Sequence, residues 1–305
     1  MSQRVIAIVG PTASGKTSLS IFLAQKIGGE IISADSRQVY RGLDIGTGKV
    51  TEKEMSGIPH HLLDMTSPKR VYSASDFQKS AEKALQNIIM KKQVPIIVGG
   101  TGFYVDTLLG RMVFPDVPPN DKLREKLEKK STEQLFTMLG KKDPRRAANI
   151  DRHNKRRIVR ALEIVEALGL TPEGGPALEA QGSYHVLWLG INLPEKKLQE
   201  NIHTRLLSRI SDGMVEEAIR LHAAGLTYKR MSELGLEYRS LALLLQGKIS
   251  KEMFVEELEQ AINNYAKRQI RWFKRNKDIR WIKNPPGSRA GRAEALKFAE
   301  QFLTP

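Results

Sequence analysis

Cysteine is absent from the 305 residues of this chain, which excludes disulfides, thiolate metal sites and cysteine nucleophiles. Long apolar runs are missing too. The longest, such as residues 241–245, fall far short of the roughly 20 residues a membrane-spanning helix needs. The first residues pass straight into an apolar stretch, with neither a charged-then-apolar leader nor a cleavage pattern. A soluble, cytosolic protein is expected, acting as a monomer and independent of membranes. Acidic residues are in deficit, with 34 Asp and Glu against 49 Lys and Arg, a net charge of +15. At this length the chain can bury a sizeable core, as one large domain or two ordinary ones.

The excess charge is concentrated. Residues 141–160 carry nine Lys/Arg against two Asp, and residues 265–283 carry eight against one. Each segment is +7, so the two hold +14 of the +15. A solvated helical face is the usual account of one such run. Two isolated basic blocks, with Trp272, Phe273 and Trp281 interleaved, point to a polyanion such as nucleic acid.

The strongest motif is GPTASGKT at residues 10–17: Gly10, Pro11, Thr12, Ala13, Ser14, Gly15, Lys16 and Thr17. It fits G-x-x-x-x-G-K-[ST], follows the apolar residues 4–9 and opens a helical pattern over 16–27. Such a loop converges backbone N–H groups on phosphate oxygens at the positive end of a helix. Lys16 adds a point charge, and the Thr17 hydroxyl is placed to help hold Mg²⁺. ATP and a prenyl diphosphate look alike to this loop.

Strands over 4–9, 30–35 and 94–98, separated by helices over 16–27 and 76–92, predict a doubly wound parallel sheet of the α/β class. In such sheets chemistry lies beyond the carboxyl ends of the strands. The rhythm breaks near 113–119. Residues 120–167 are helical and highly charged, 171–182 form a Gly/Pro/Ala loop, and the sheet resumes at 184–193. The expected organisation is an α/β core of 1–114 and 183–305, interrupted by a helical insertion domain over 115–182. Everything after 193 reads as helical.

Asp35 closes the second strand beside the phosphate loop, where a carboxylate faces a bound diphosphate and can take a proton from an incoming nucleophile; a capping or Mg²⁺-water role is the alternative. Ser36, Arg37 and Gln38 extend the same loop, and a Gln amide suits a base edge. The third strand ends in Gly99-Gly100-Thr101-Gly102, open to close ligand approach and offering the Thr101 hydroxyl. It lacks the terminal Asp with which nucleotide hydrolases hold metal, which weighs against ATP turnover. The loop 44–49 is either a cleft wall or a plain turn. His60 and His61 are adjacent, share no face and have no third ligand in register, so a metal site is rejected. Arg156, Arg157 and Arg160 form a guanidinium stripe, with Ile158, Leu162 and Val165 opposite. Lys267, Arg268, Arg271, Lys274 and Arg275 repeat at similar spacings. Trp272 and Phe273 read as core rather than stacking platforms.

GPTASGKT, ADSRQVYRGLDIGTGK (34–49), VGGTGFY (98–104), RALE (160–163) and YAKRQIRWF (265–273) occur in order. Together they resemble the tRNA dimethylallyltransferases (isopentenyl-tRNA transferases) along the whole chain. The resemblance implies transfer of a dimethylallyl group from dimethylallyl diphosphate to N6 of the adenosine at tRNA position 37. It also implies Mg²⁺ and a helical insertion that clasps the anticodon stem-loop. By matching motif, Thr12 to Thr17 would cradle the diphosphate and Asp35 would accept the N6 proton. Ser36 to Gln38 would contact the flipped adenosine, Thr101 would lie at the reacting centre, and Arg205 would clamp the departing diphosphate. Arg124, the helix carrying Arg156, Arg157, Ile158, Val159 and Arg160, and the basic pair Lys267 and Arg268 would touch tRNA. Two stretches depart from the family pattern: Asn263-Asn264 stand where Thr-Arg is usual, and 150–155 replace the usual I-H-P-N-D. A small-molecule kinase using ATP would share the sheet and Asp35 but leave the basic patches unexplained. A non-catalytic RNA-binding protein would leave the phosphate loop without a use.

Overall fold

The computed structural model describes residues 3–112, 115, 117–169 and 184–304. The chain divides into two compact units, Met1–Leu109 with Gly182–Pro305, and Gly110–Gln181. The loop expected over 171–182, and residues 114, 182 and 183 at the expected boundaries, lie outside the described residues.

The first unit begins with β1 (Gln3–Val9), α1 (Lys16–Ile27) and β2 (Gly29–Ser33). There follow α2 (Glu52–Met55), β3 (His60–His61), α3 (Ala74–Met90), β4 (Val94–Gly99) and α4 (Gly102–Leu108). The second unit holds α5 (Asp121–Glu128), α6 (Thr132–Lys142), α7 (Pro144–Asn149) and α8 (Lys155–Leu168). The first unit resumes with β5 (Tyr184–Ile191), α9 (Glu195–Ser211), α10 (Met214–Ala223), α11 (Tyr228–Leu234) and α12 (Leu236–Leu245). It ends with α13 (Lys251–Phe273), β6 (Arg280–Ile282) and α14 (Arg289–Leu303).

Among the described residues six strands form one all-parallel sheet in the order β3-β2-β4-β1-β5-β6. Strand β1 is central, and Val5 to Val9 are each 0% exposed. Its alternation is visible in the packing. Val5, Ala7 and Val9 face the cluster built with Phe77, Leu85 and Tyr104, whereas Ile6 and Ile8 face that built with Leu19, Leu23 and Ala295. Each such side chain contributes about 1.5–3 kcal/mol of burial, so both faces of the sheet are covered and β1 cannot slip in register. Helices α9 to α13 make a third cluster around Leu206, Met214, Tyr238 and Phe254.

Helix starts follow the sequence. Ser73 with Asp76 and Ser131 with Gln134 form capping boxes, and Ser250 and Ser288 cap α13 and α14. The carboxy-terminal region is not wholly helical, contrary to the expectation. β6 adds to the sheet edge beside β5, with Ile282 in the core. Three residues inside a basic run are too few to show a period of two. The second strand is also shorter than read: it stops at Ser33, and Asp35 lies in the turn beyond it.

The second unit packs around Leu127, Leu135, Leu139, Ile158, Leu162 and Val165. No helix among the described residues is long and apolar enough to cross a membrane.

Candidate active site

The carboxyl ends of β1, β2 and β4 carry the loops 10–17, 34–38 and 99–102. The phosphate loop is bent where sterics demand it. Gly10 has φ 154°, Ala13 58° and Gly15 92°, and a Cβ on Gly10 would lie 2.7 Å from the Ile191 carbonyl oxygen. Lys16 Nζ donates to the Pro11 carbonyl at 2.6 Å. The Ser14 hydroxyl is buried without a hydrogen-bond partner.

Asp35 is held by its own turn. Its Oδ1 accepts the N–H groups of Arg37 at 2.8 Å and Gln38 at 3.4 Å. The next residue, Ser36, donates its N–H to Thr101 Oγ1 at 3.2 Å, tying the β2 loop to the β4 loop. Gln38 is used structurally, accepting from Ser33 and donating to the Gly48 carbonyl.

The loop 44–49 is a cleft wall. Its amides at Asp44, Ile45 and Gly46 donate to the buried Glu217 carboxylate at 2.7–3.0 Å, and Tyr238 adds its hydroxyl at 2.5 Å. Its carbonyls serve two arginines of α9. Arg209 donates to Gly46 and Thr47, and Arg205 donates to Gly48 at 3.1 Å.

Two cavities flank this constellation. One, of about 380 Å³, is bordered by Asp35, Arg37, Thr101, Glu237, Tyr265 and Gln269 among others. The other, of about 570 Å³, is bordered by the outer side of the phosphate loop, Phe22, Asn201 and Arg292. Lys16, Thr17 and Arg205 border both. Thus the cations lie between the carboxylate side and the outer side.

Burial and the neighbouring Arg205 lower the Lys16 pKa to about 7, outweighing the attraction of Asp35. Burial and Arg209 bring Arg205 down to about 10, opposed by Glu237 and Asp35. Burial raises Glu237 despite Arg209 at 3.3 Å. Burial and the Asp35 charge push the Tyr265 phenol up to about 12, offset in part by its hydrogen bond with Thr101. A cleft that disfavours isolated cations favours an anion among them.

Sequence reasoning identified Asp35, Thr101, Lys16, Thr17 and Arg205, and the structure brings them together. It missed Gln269, Tyr265, Glu237 and Glu217. Gln269 takes the Thr12 N–H on Oε1 at 2.8 Å and donates to the Gly100 carbonyl at 2.9 Å. Its signal was present in YAKRQ, where only the charges were read. Trp272 is core-side as expected, donating to Asp106 at 2.7 Å.

Of the residues expected to touch tRNA, Arg156 and Arg157 are exposed on α8. Ile158 and Val159 are 0% and 4% exposed and fill the core of the second unit, so their side chains cannot serve as contacts. Arg124 and Arg160 hold the buried Glu163 carboxylate, at 2.8 Å and 3.4 Å. Lys267 pairs with Glu195 at 2.9 Å, and Arg268 lies 5.8 Å over the Tyr265 ring.

The donor set suits Mg²⁺, which takes one or two protein oxygens and completes its shell with phosphates and water. Thr17 and Asp35 present such oxygens to the same cavity. No group of three or more His, Cys, Asp or Glu that could hold a metal occurs among the described residues.

The sequence model described as IPP transferase matches residues 38–276. The chain belongs to the IPP transferase family. Relatives within it include tRNA dimethylallyltransferase 2 of Treponema denticola, 42% identical over 91% of this chain and 95% of that protein. The tRNA dimethylallyltransferase of Anoxybacillus flavithermus is 39% identical over 92% and 91%. Among solved structures, the tRNA isopentenylpyrophosphate transferase of Bacillus halodurans superposes with TM-score 0.75 at 33% identity, covering 99% of this chain and 97% of that one. A eukaryotic dimethylallyltransferase, captured in crystallographic snapshots acting on tRNA, gives TM-score 0.85 at 26% identity over 100% and 81%. These family members are named as transferases, and the kinase alternative has no support among them.

Proposed function

We propose that this chain is a tRNA dimethylallyltransferase. It moves the dimethylallyl group of dimethylallyl diphosphate to N6 of the adenosine at tRNA position 37, giving N6-dimethylallyladenosine and diphosphate. The observation that carries this is the opposition of Asp35 and Thr101 on one side of the cleft to Lys16, Thr17 and Arg205, which the outer cavity shares.

The chemistry needs an amine aligned on an allylic carbon with diphosphate departing behind it. The N6 lone pair forms the new C–N bond while the C–O bond to diphosphate breaks and its electron pair leaves with the phosphate oxygen. Lys16, Arg205 and the backbone N–H groups of 12–17 stabilise that charge. The N6 proton goes to Asp35, whose Oδ1 is fixed by two amides and whose Oδ2 has no hydrogen bond among the described residues. Thr101, joined to Ser36 and Tyr265, orients the amine. Mg²⁺ held by the Thr17 hydroxyl together with diphosphate oxygens would supply further neutralisation of phosphate charge, leaving Asp35 free to take the proton.

The target base sits in a loop, so extruding it costs only a few kcal/mol. Arg156 and Arg157 of the insertion, with Arg268 on α13, serve the phosphates of the anticodon stem-loop. We read the protein as cytoplasmic and monomeric.

The test is incubation with labelled dimethylallyl diphosphate or labelled ATP, with and without unmodified tRNA, followed by nucleoside digestion. Label from the prenyl donor is expected on adenosine only when tRNA is present. Phosphate moving from ATP to a small molecule would overturn the reading.

A further inference from the structure

The outer cavity carries a feature that the transfer chemistry does not use. Arg292, from α14, borders it together with Lys16 and Arg205. The guanidinium carbon of Arg292 lies 5.4 Å over the Phe22 ring. Its Nε is buried with no hydrogen-bond partner, and the side chain makes no ion pair among the described residues. Glu54 is the sole acid on the cavity wall, and its Oε2 is engaged by the N–H and hydroxyl of Thr51 at 2.8 and 2.9 Å.

The position of α14 is set by the phosphate loop itself. Pro286, in the turn before the helix, has its Cγ 2.8 Å from where a Cβ on Gly15 would stand. The segment after β6 therefore walls the outer side of the loop. Phe22 lies five residues beyond Thr17 on α1, about 7 Å along the axis. Arg292 is thus displaced from the loop amides and addresses a different set of anion oxygens. A buried guanidinium N–H without an acceptor is costly. The Nε is closed off from solvent, but the side chain borders a cavity that also holds Lys16 and Arg205, where the natural partner of a guanidinium is an anion with several oxygens.

We infer that Arg292 is an outer anion-binding position on the donor side of the phosphate loop, engaging the diphosphate group of the donor and of the released product. The inference rests on the reading of residues 10–17 as a diphosphate site. It makes the carboxy-terminal helix part of the donor site rather than only a cover for the sheet.

Calorimetric titration of the full-length protein with inorganic diphosphate tests it. Arg292→Gln removes the guanidinium over Phe22 and its charge, Arg292→Lys keeps a charge, and Arg289→Ala, exposed on the same helix, controls for net charge. Arg292→Gln should bind diphosphate roughly tenfold more weakly, the loss of one charge-assisted bond. Arg292→Lys should recover part of this, and Arg289→Ala should match the parent. The donor KM should rise in parallel, with tRNA affinity unchanged and a melting temperature no lower than the parent's. Parental affinity in Arg292→Gln overturns the inference while leaving the diphosphate site intact. Absence of diphosphate binding in the parent overturns the diphosphate reading itself.

Discussion

The side-chain carbonyl of Gln269 accepts the backbone N–H of Thr12 at 2.8 Å, across 257 positions of sequence. With its amide on the Gly100 carbonyl, this one side chain locks the phosphate loop to the glycine turn after β4. Gln269→Ala should strand the buried Gly100 carbonyl and the part-buried Thr12 N–H and lower stability by roughly 1–3 kcal/mol. It should also raise the donor KM, because Thr12 loses its anchor. A melt and a donor titration together check this; a fall in melting temperature with unchanged KM would limit Gln269 to folding.

Asp35→Ala is expected to slow prenyl transfer by about 10² to 10⁴, the range for a positioned general base. Asp35→Asn keeps the acceptor for the Arg37 and Gln38 amides but takes no proton near neutrality. Equal losses in both variants, with both substrates still bound, identify proton removal. Near-parental turnover by Asn alone would mean that Asp35 only orients the amine.

Lys16 gives a pH signature. Its pKa of about 7 rises once phosphate lies beside it. At about 4 Å and an effective dielectric near 20, one phosphate charge contributes roughly 4 kcal/mol, or about three pKa units. Binding therefore takes up a proton above pH 7, and affinity for inorganic diphosphate should fall by up to about tenfold per pH unit between roughly pH 7 and 9. Lys16→Arg stays charged throughout and serves as reference, cancelling the titration of diphosphate. Parallel slopes in the two proteins would refute the assignment.

How much was legible in the sequence depended on whether a residue's partner was local. The phosphate loop, Asp35 and Thr101 lie at strand ends that periodicity located, so their convergence followed from parallel-sheet geometry. Glu217 left no such trace. It sits beside Glu216 in the first turn of α10, where acidic residues are ordinary, and its role comes from three amides about 170 residues away. Arg205 was named by motif alone, because nothing near it in sequence marks the burial that lowers its pKa. The stripe on α8 was over-read. Arg160 belongs to the Glu163 network, since its i+3 neighbour is a buried carboxylate.

Exposed arginines and those paired with Glu163 should consequently behave differently. Replacing Arg156 and Arg157 together by Ala should flatten the slope of log K against log[salt] for tRNA by about 1.5, if each meets one phosphate. Stability should change little. An unaltered slope in filter binding over a range of salt would return this face to plain solvation.

Glu163 should make the insertion acid-sensitive. Burial alone would raise its pKa, but bonds from Arg124, the Asn120 amide and Arg160 outweigh it and hold it below the ordinary 4.5. A depressed folded pKa contributes stability above the unfolded value and loses it as pH falls through the folded one. Hydrogen-exchange protection factors in α5 to α8, taken against the intrinsic rate at each pH, should therefore fall below about pH 4.5. Glu163→Gln should remove that dependence and cost about 1 kcal/mol near neutrality, since Arg124, 40% exposed, loses its charge partner but keeps its contact with water. Protection factors that stay constant through this range in the parent would exclude this network as a source of acid sensitivity.

The lock at Gln269 and the turn at Pro286 also order events in time. A ribosome completes residues 10–17 early, yet the side chain that pins Thr12 is made 257 residues later, and the turn against Gly15 later still. Strand β1 likewise waits for β5 to cover its second edge. Domains tend to fold as they emerge, but here the nascent amino-terminal half cannot finish its own loop. Chains stalled before α13 should carry the complete motif and still fail to retain diphosphate, so donor binding should await the synthesis of Gln269 and of the turn at Pro286.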